Sequence, residues 1–294
     1  PTETISAFYN PIATQTILVV NGFDRLSGPS VIDDDEKQGI ELDKDPGVSY
    51  GLTAGWNGRQ LNFDKAKMGI EGPGGLGYSG NELAGKFIMG NDFSAVKSHT
   101  EAIASAKKYN VVSCSMQTFE TSNIDLSKYQ AIDLIYGLQK YNKYALKNYQ
   151  VLSKTSQDLL RKYTKDHGNL IVSGSYIGSE MQDNEKNTFL NDVLKAIYQQ
   201  NDSSQIGEQI NGLGTTFCIY RQGNSRHYAA TSVDRLSPTM NAICAMQYSD
   251  GSSAAVGYQG SDYHCFTIGF PLECIKSNKE RNEIMRGILQ YIMK

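Results

Sequence analysis

Of the 294 residues, four are histidines, at positions 99, 167, 227 and 264. Histidine is the side chain best suited to moving protons near neutral pH. The chemistry open to each depends on which acids and hydroxyls the fold brings to it. His99 stands before the helical pattern Thr100–Tyr109, Ser175 follows the apolar run Asn169–Gly174, and Asp24 follows Thr16–Asn21. Were those two runs parallel strands of one sheet, all three residues would lie at its carboxyl edge. There an imidazole can take the proton of a serine hydroxyl while a carboxylate orients it, the arrangement of a serine hydrolase. The local sequence Gly174-Ser175-Tyr176-Ile177-Gly178 is not the G-x-S-x-G of a nucleophile elbow, and a strand-ending serine also serves as a cap. Asn21, Arg25, Gln139, Ser173 and Tyr176 share the expected edge and are the candidates for holding a ligand. A structural role for Asp24 and Arg25, paired to hold the segment behind them, explains those two equally well.

Other chemistries find less support. His167 sits at a helix end, His227 in the polar turn GNSRHY, and His264 before an apolar strand, so no element offers two close ligands for a transition metal. Neither a metal nor a cofactor is expected. Asp33-Asp34-Asp35-Glu36 lacks the alternating oxygens and turn glycine of a calcium loop and reads as a solvated acidic turn. GPGGLG follows no buried strand and precedes no G-K-[ST], so it is not a phosphate loop. Glu71, Glu82, Glu120 and Glu180 are all available for the paired carboxylates of a glycosidase, which spacing alone cannot single out. The five cysteines form no C-x-x-C pair and mostly lie in runs such as FCIY and AICAM, where a thiol acts as a small buried hydrophobe.

The elements that must position these residues alternate. Strand-like runs occur at Thr16–Asn21, Asn110–Ser115, Ala131–Tyr136, Asn169–Gly174, Thr215–Tyr220, Ala254–Tyr258 and Cys265–Phe270. Helical patterns occur at Thr100–Tyr109, Ser153–His167, Asn187–Gln200 and Lys279–Met293. The alternation predicts an α/β fold: a three-layer, mostly parallel sheet with helices on both faces. Residues 1–294 are expected to form a single domain, with a long insertion, 22–97, after the first strand and over the carboxyl edge of the sheet. A net charge of -3 with no basic stripe argues against nucleic acid. No apolar run approaches the roughly 20 residues of a membrane-spanning helix. The start at Pro1, without a signal pattern, reads as a processed chain or one whose targeting segment is missing.

The runs TILVVNGFDRLSGP, GLGYSGNELAGKFIMGNDF, YQAIDLIYGLQK and GNLIVSGSYIGSEM together resemble a domain of large secreted bacterial proteins of the xanthan lyase-like type, across nearly the whole chain. In that family it lies beside amidase-like, fibronectin-like or golvesin-like modules. The resemblance implies a secreted, periplasmic or cell-surface location, neighbouring domains, and a polysaccharide or cell-wall glycan as substrate. GNLIVSGS and CFTIGFPLECI resemble flavodoxin-like and class I glutamine amidotransferase-like sheets. Active amidotransferases carry a nucleophilic cysteine after the strand matching GNLIVSG, where this chain has Ser173 and Ser175. Of their His-Pro-Glu signature only Glu273 is matched, behind Pro271 and Leu272. Two readings follow. One is a glycan hydrolase or lyase with a rebuilt site. The other is a non-catalytic glycan-binding or structural accessory module, which predicts an exposed groove lined by Trp56, Tyr50 and Tyr78.

Overall fold

The computed structural model describes residues 4–25, 30–33, 35–36, 38–41, 56–57, 60–62, 66, 85, 87–91, 93–141, 149–182, 184–200 and 206–294. The strands are β1 (Ala7–Phe8), β2 (Gln15–Asn21), β3 (Ser30–Asp33), β4 (Gln38–Glu41), β5 (Trp56–Asn57), β6 (Gln60–Asn62), β7 (Phe87–Met89), β8 (Tyr109–Ser115), β9 (Ala131–Gly137), β10 (Asn169–Gly174), β11 (Ala196–Gln199), β12 (Gln209–Gly212), β13 (Thr215–Cys218), β14 (Arg235–Pro238), β15 (Ala242–Tyr248), β16 (Ser253–Gln259) and β17 (His264–Ile268). The α-helices are α1 (Ala95–Ala104), α2 (Met116–Thr121), α3 (Lys154–Lys165), α4 (Asn184–Asp192) and α5 (Asn278–Ile292).

Ten strands form one sheet in the order β1-β8-β2-β9-β10-β17-β16-β15-β12-β13. From β8 to β17 the pairings are parallel. All the others, β1 with β8 and the series from β17 to β13, are antiparallel. This corrects the expected mostly parallel, helix-covered three-layer sheet. The sheet is mixed, antiparallel pairings outnumber parallel ones, and among the described residues seventeen strands stand against five α-helices.

The reason lies in the second half of the chain, where tight turns replace crossover helices. Leu213 and Gly214 join β12 to β13 with φ of 52° and 77°, both positive as a two-residue hairpin turn requires. Gly251, at φ 83°, serves the turn between β15 and β16. Two helix boundaries also differ from expectation. α1 begins at Ala95, so His99 sits inside that helix rather than before it. α4 ends at Asp192, and Ala196–Gln199 is strand β11, paired with β14 in a small separate sheet.

Along β2 alternate side chains enter two cores. Ile17 and Val19 join residues of α1 and α5, such as Val96, Ile103, Ile284 and Ile288. Leu18 and Val20 join Phe119 of α2, Leu160 of α3 and Phe189 of α4. Gly137 ends β9 at φ 49°, and a Cβ there would run into the Phe23 ring. Gly137→Ala is therefore expected to lose about 2–4 kcal/mol in urea denaturation, from left-handed backbone strain plus overpacking.

Of the 22–97 insertion, the described parts form a two-stranded β3–β4 sheet and a three-stranded β5–β6–β7 sheet. Tyr50, Tyr78, Asp34 and the GPGGLG run lie outside the described residues, as do the side chain of Trp56 and most of the expected cover over the sheet edge. The end of the insertion returns to its beginning. The Asn91 amide donates to the carbonyls of Phe23 and Arg25 at 3.2 and 2.9 Å. Among the described residues, no helix is long and apolar enough to cross a membrane.

Candidate functional site

Asp133 occupies the middle of β9, between Ala131 and Ile135, and is completely buried. A lone carboxylate in that position needs a charged or hydrogen-bonding partner. α1 supplies one. Its buried face runs through Val96, His99, Thr100 and Ile103 at helical spacing and carries His99, also fully buried, onto the strand. His99 Nδ1 lies 2.7 Å from Asp133 Oδ2, and Nε2 lies 3.4 Å from Glu273 Oε2. Glu273 stands in the short turn Leu272–Cys274 after β17, with its side chain 7% exposed.

Burial alone would depress the imidazole's pKa. The opposing charges and hydrogen bonds of Asp133 and Glu273 outweigh it and raise the value to about 9. At neutral pH the ring is therefore an imidazolium held between two carboxylates, with an N–H directed at each. Glu273 uses Oε2 for this contact, and its Oε1 has no hydrogen-bond partner.

Glu273 lines a cavity of about 440 Å³, in the size range of small-ligand sites. The cavity opens between the first turns of α1 and α5 and the 220–228 loop. Lys97, Arg226, Lys276 and Arg281 bring cations to it, against Glu101 and Glu273 as anions. Lys97 is 3.8 Å from Glu101, and Lys276 is 2.5 Å from Glu208. Arg226, on the exposed loop, has no acidic partner among the described residues. Arg281 is fixed instead, donating to the Glu273 carbonyl at 3.4 Å and to Asn278 Oδ1 at 2.7 Å. The His227 ring stacks on Tyr220 at 4.5 Å, which gives that wall a rigid aromatic face.

The other residues singled out in the sequence are placed as follows. Ser175 is buried and donates its hydroxyl to the Ser232 carbonyl at 2.6 Å. Asp24 accepts from Gln139 Nε2 at 2.8 Å. Both ring nitrogens of His99 are taken by Asp133 and Glu273, so the bonds that would build a Ser175–His99–Asp24 relay go elsewhere. Arg25 is fully buried; its guanidinium donates to the Leu138 carbonyl and lies 5.5 Å from the Phe23 ring. Asn21 and Ser173 are buried at the ends of β2 and β10, and Tyr176 packs below the Lys140 ammonium at 4.8 Å.

Asp133 is the residue that motif reasoning passes over. Its signal is compositional, a single charge inside AIDLIY. Glu273 stands out in the sequence only through a resemblance to the amidotransferase signature, and the histidine beside it in the structure comes from α1. Among the described residues, no group of three His, Cys, Asp or Glu side chains is arranged to hold a metal ion.

No protein-family model and no curated protein matches the sequence. Solved structures similar to it include a β-galactosidase from the haloarchaeon Halorubrum lacusprofundi, at 14% identity and a TM-score of 0.44, over 73% of this chain and 28% of that one. A cytoplasmic protein from Salmonella typhimurium matches at 12% identity and a TM-score of 0.49, over 94% of this chain and 98% of that one. A putative ThuA-like protein from Bacteroides uniformis matches at 7% identity and a TM-score of 0.46, over 95% and 92%. The chain thus spans less than a third of the β-galactosidase and nearly all of the other two.

Proposed function

We propose that this chain is an enzyme domain acting on an acidic polysaccharide outside the cytoplasm, with Glu273 as its proton-accepting group. One observation carries the reading: a carboxylate at the wall of a cleft where cations outnumber acids, fixed through one oxygen by a buried imidazolium, with its other oxygen buried and without a hydrogen-bond partner among the described residues. The extracytoplasmic location and the glycan class are supported by the resemblance of TILVVNGFDRLSGP and its companion runs to secreted xanthan lyase-like proteins.

The charges of the cleft suit β-elimination from a uronate. Arg226, at the rim, pairs with the sugar carboxylate and makes the proton on the adjacent carbon more acidic. The Glu273 carboxylate accepts that proton. The C–H electron pair becomes a carbon–carbon double bond, and the bond to the neighbouring glycosidic oxygen breaks. The leaving oxygen takes its proton from water in the open cleft. His99 and Asp133 touch no substrate and act as positioning residues, holding the Glu273 carboxylate in one orientation.

The test is incubation with polyglucuronate, xanthan and hyaluronan while following the ultraviolet absorbance of the unsaturated uronate product. Glu273→Gln is expected to slow product formation by about 10²–10⁴-fold, the usual contribution of a positioned general base, in a variant that still unfolds cooperatively. New reducing ends without the absorbance would replace elimination by hydrolysis. Glycan binding without any product, equal in wild type and Glu273→Gln, would sink the enzyme reading and leave the accessory-module one.

A further inference from the structure

A second cavity, of about 400 Å³, lies on the opposite side of the sheet from His99. Asp24 beyond β2, Tyr136 and Gln139 at the end of β9, Glu120 of α2, and Ser153 and Ser156 at the start of α3 line it. Its place in the topology is distinctive. From β2 the chain moves to β8 on one side, whereas β9, the neighbour on the other side, is followed by β10 still further away. The winding direction reverses between β2 and β9, and the crevice beyond the carboxyl ends of two such strands is where open α/β sheets take ligands.

The hydrogen bonds of this cavity leave two acceptors unused, Gln139 Oε1 and Glu120 Oε2, beside one hydroxyl, that of Tyr136. Asp24 accepts from Gln139 Nε2, which turns the amide so that Oε1, on a side chain only 2% exposed, has no partner. Glu120 Oε1 accepts from Ser156 Oγ at 2.7 Å and from Ser153 Oγ, leaving Oε2 without a hydrogen bond among the described residues. The buried Tyr136 hydroxyl faces the Leu152 backbone and makes no side-chain hydrogen bond among the described residues. Burial, and next the charge of Glu120, hold that phenol in its neutral form. No Lys, Arg or His is among the described residues lining the cavity, in contrast to the Glu273 cleft.

We infer that this cavity binds a small organic cation through a primary ammonium group. Such a group brings three N–H donors and one positive charge. Gln139 Oε1 and Glu120 Oε2 accept its hydrogens, and the Glu120 carboxylate compensates its charge. A neutral polyol of the same size would satisfy the acceptors and leave the charge uncompensated. A bare metal ion would lack the necessary ligand set, since no group of three metal-binding side chains exists among the described residues. The site is separate from the Glu273 cleft and stands whether or not that cleft is catalytic.

The experiment is calorimetric titration of the full chain with glucosamine and putrescine, each paired with its hydroxyl counterpart, glucose and 1,4-butanediol, and with calcium chloride as a further probe. Saturable binding of at least one amine is expected, with its hydroxyl counterpart about tenfold weaker or more, and with a shift of the Gln139 side-chain amide resonance in NMR spectra. Glu120→Gln and Gln139→Leu should each weaken the amine about tenfold without altering product formation at Glu273. Absence of saturable binding by both amines, equal binding of amine and hydroxyl partner, competition by calcium at equal concentration, or unchanged affinity in both variants would overturn the assignment. Should Glu120→Gln fail to fold, Gln139→Leu and the amide resonance decide.

Discussion

Replacing His99 with leucine is expected to lower the free energy of unfolding by about 3–5 kcal/mol at pH 7, because Asp133 would remain buried without its counter-ion. The double variant His99→Leu/Asp133→Leu should recover much of that loss, since it removes both charges from the core and leaves apolar groups that pack. Urea denaturation of the two single variants and the double variant forms the cycle. A His99→Leu loss below about 1 kcal/mol would mean that the pair is not charged in the folded state.

The same pair sets a pH dependence. The folded-state pKa of His99, about 9, lies above the ordinary 6.5, so its stabilisation is fully present below pH 6.5 and fades as pH rises through 9. The change is about 3 kcal/mol. It should vanish in His99→Leu.

Asp234→Asn is expected to stabilise the protein at pH 8, by up to about 4 kcal/mol before the weaker acceptor is counted. The Asp234 carboxylate is buried beneath the turn after β10, where Oδ2 accepts from the backbone N–H groups of Gly178 and Ser179 at 2.6 and 3.0 Å. Burial pushes its pKa up to about 7, from 3.8, against the opposing pull of those hydrogen bonds. Between these values the folded chain holds a proton that the unfolded chain has released, so this group makes stability fall as pH rises from 4 to 7. Asparagine keeps a carbonyl acceptor for the two N–H groups and carries no charge to bury. Scanning calorimetry from pH 4.5 to 8 should show a flatter profile for the variant and a higher melting temperature at pH 8. A lower melting temperature there would show that the ionised carboxylate is worth more to the turn than its desolvation costs.

The parallel centre of the sheet was legible because strands buried on both faces must be continuously apolar, as TILVVN and NLIVSG are. The antiparallel half was legible only in part: β13, β16 and β17 fall on the strand-like runs Thr215–Tyr220, Ala254–Tyr258 and Cys265–Phe270, but their antiparallel pairing and the strands β12 and β15 did not show. QING of β12 has no apolar run, AICAMQY of β15 drew notice only for its cysteine, and AIYQ of β11 continued a helical pattern until Lys195, at φ 58°, broke it. At the site, His99 and Glu273 were both visible, the first as a proton carrier and the second through a resemblance to the amidotransferase signature. Their meeting was not, because they stand 174 residues apart and Asp133 another 34 from His99, separations at which no local spacing rule operates. The hydroxyl and carboxylate first assigned to His99 share the sheet edge with it in sequence order. Which face of the sheet each occupies is set by tertiary packing.

Asn91 clasps the chain where the long excursion after β2 begins, bonding the carbonyls of Phe23 and Arg25. Two points some 66–68 residues apart in sequence are thereby pinned together at the sheet edge. A loop whose ends are already joined can grow or shrink cheaply, each doubling adding only about 0.6 kcal/mol of closure entropy. The excursion is accordingly a replaceable part. Its length and composition can diverge, or be exchanged in the laboratory, while the strands and buried charges of the main sheet keep their places.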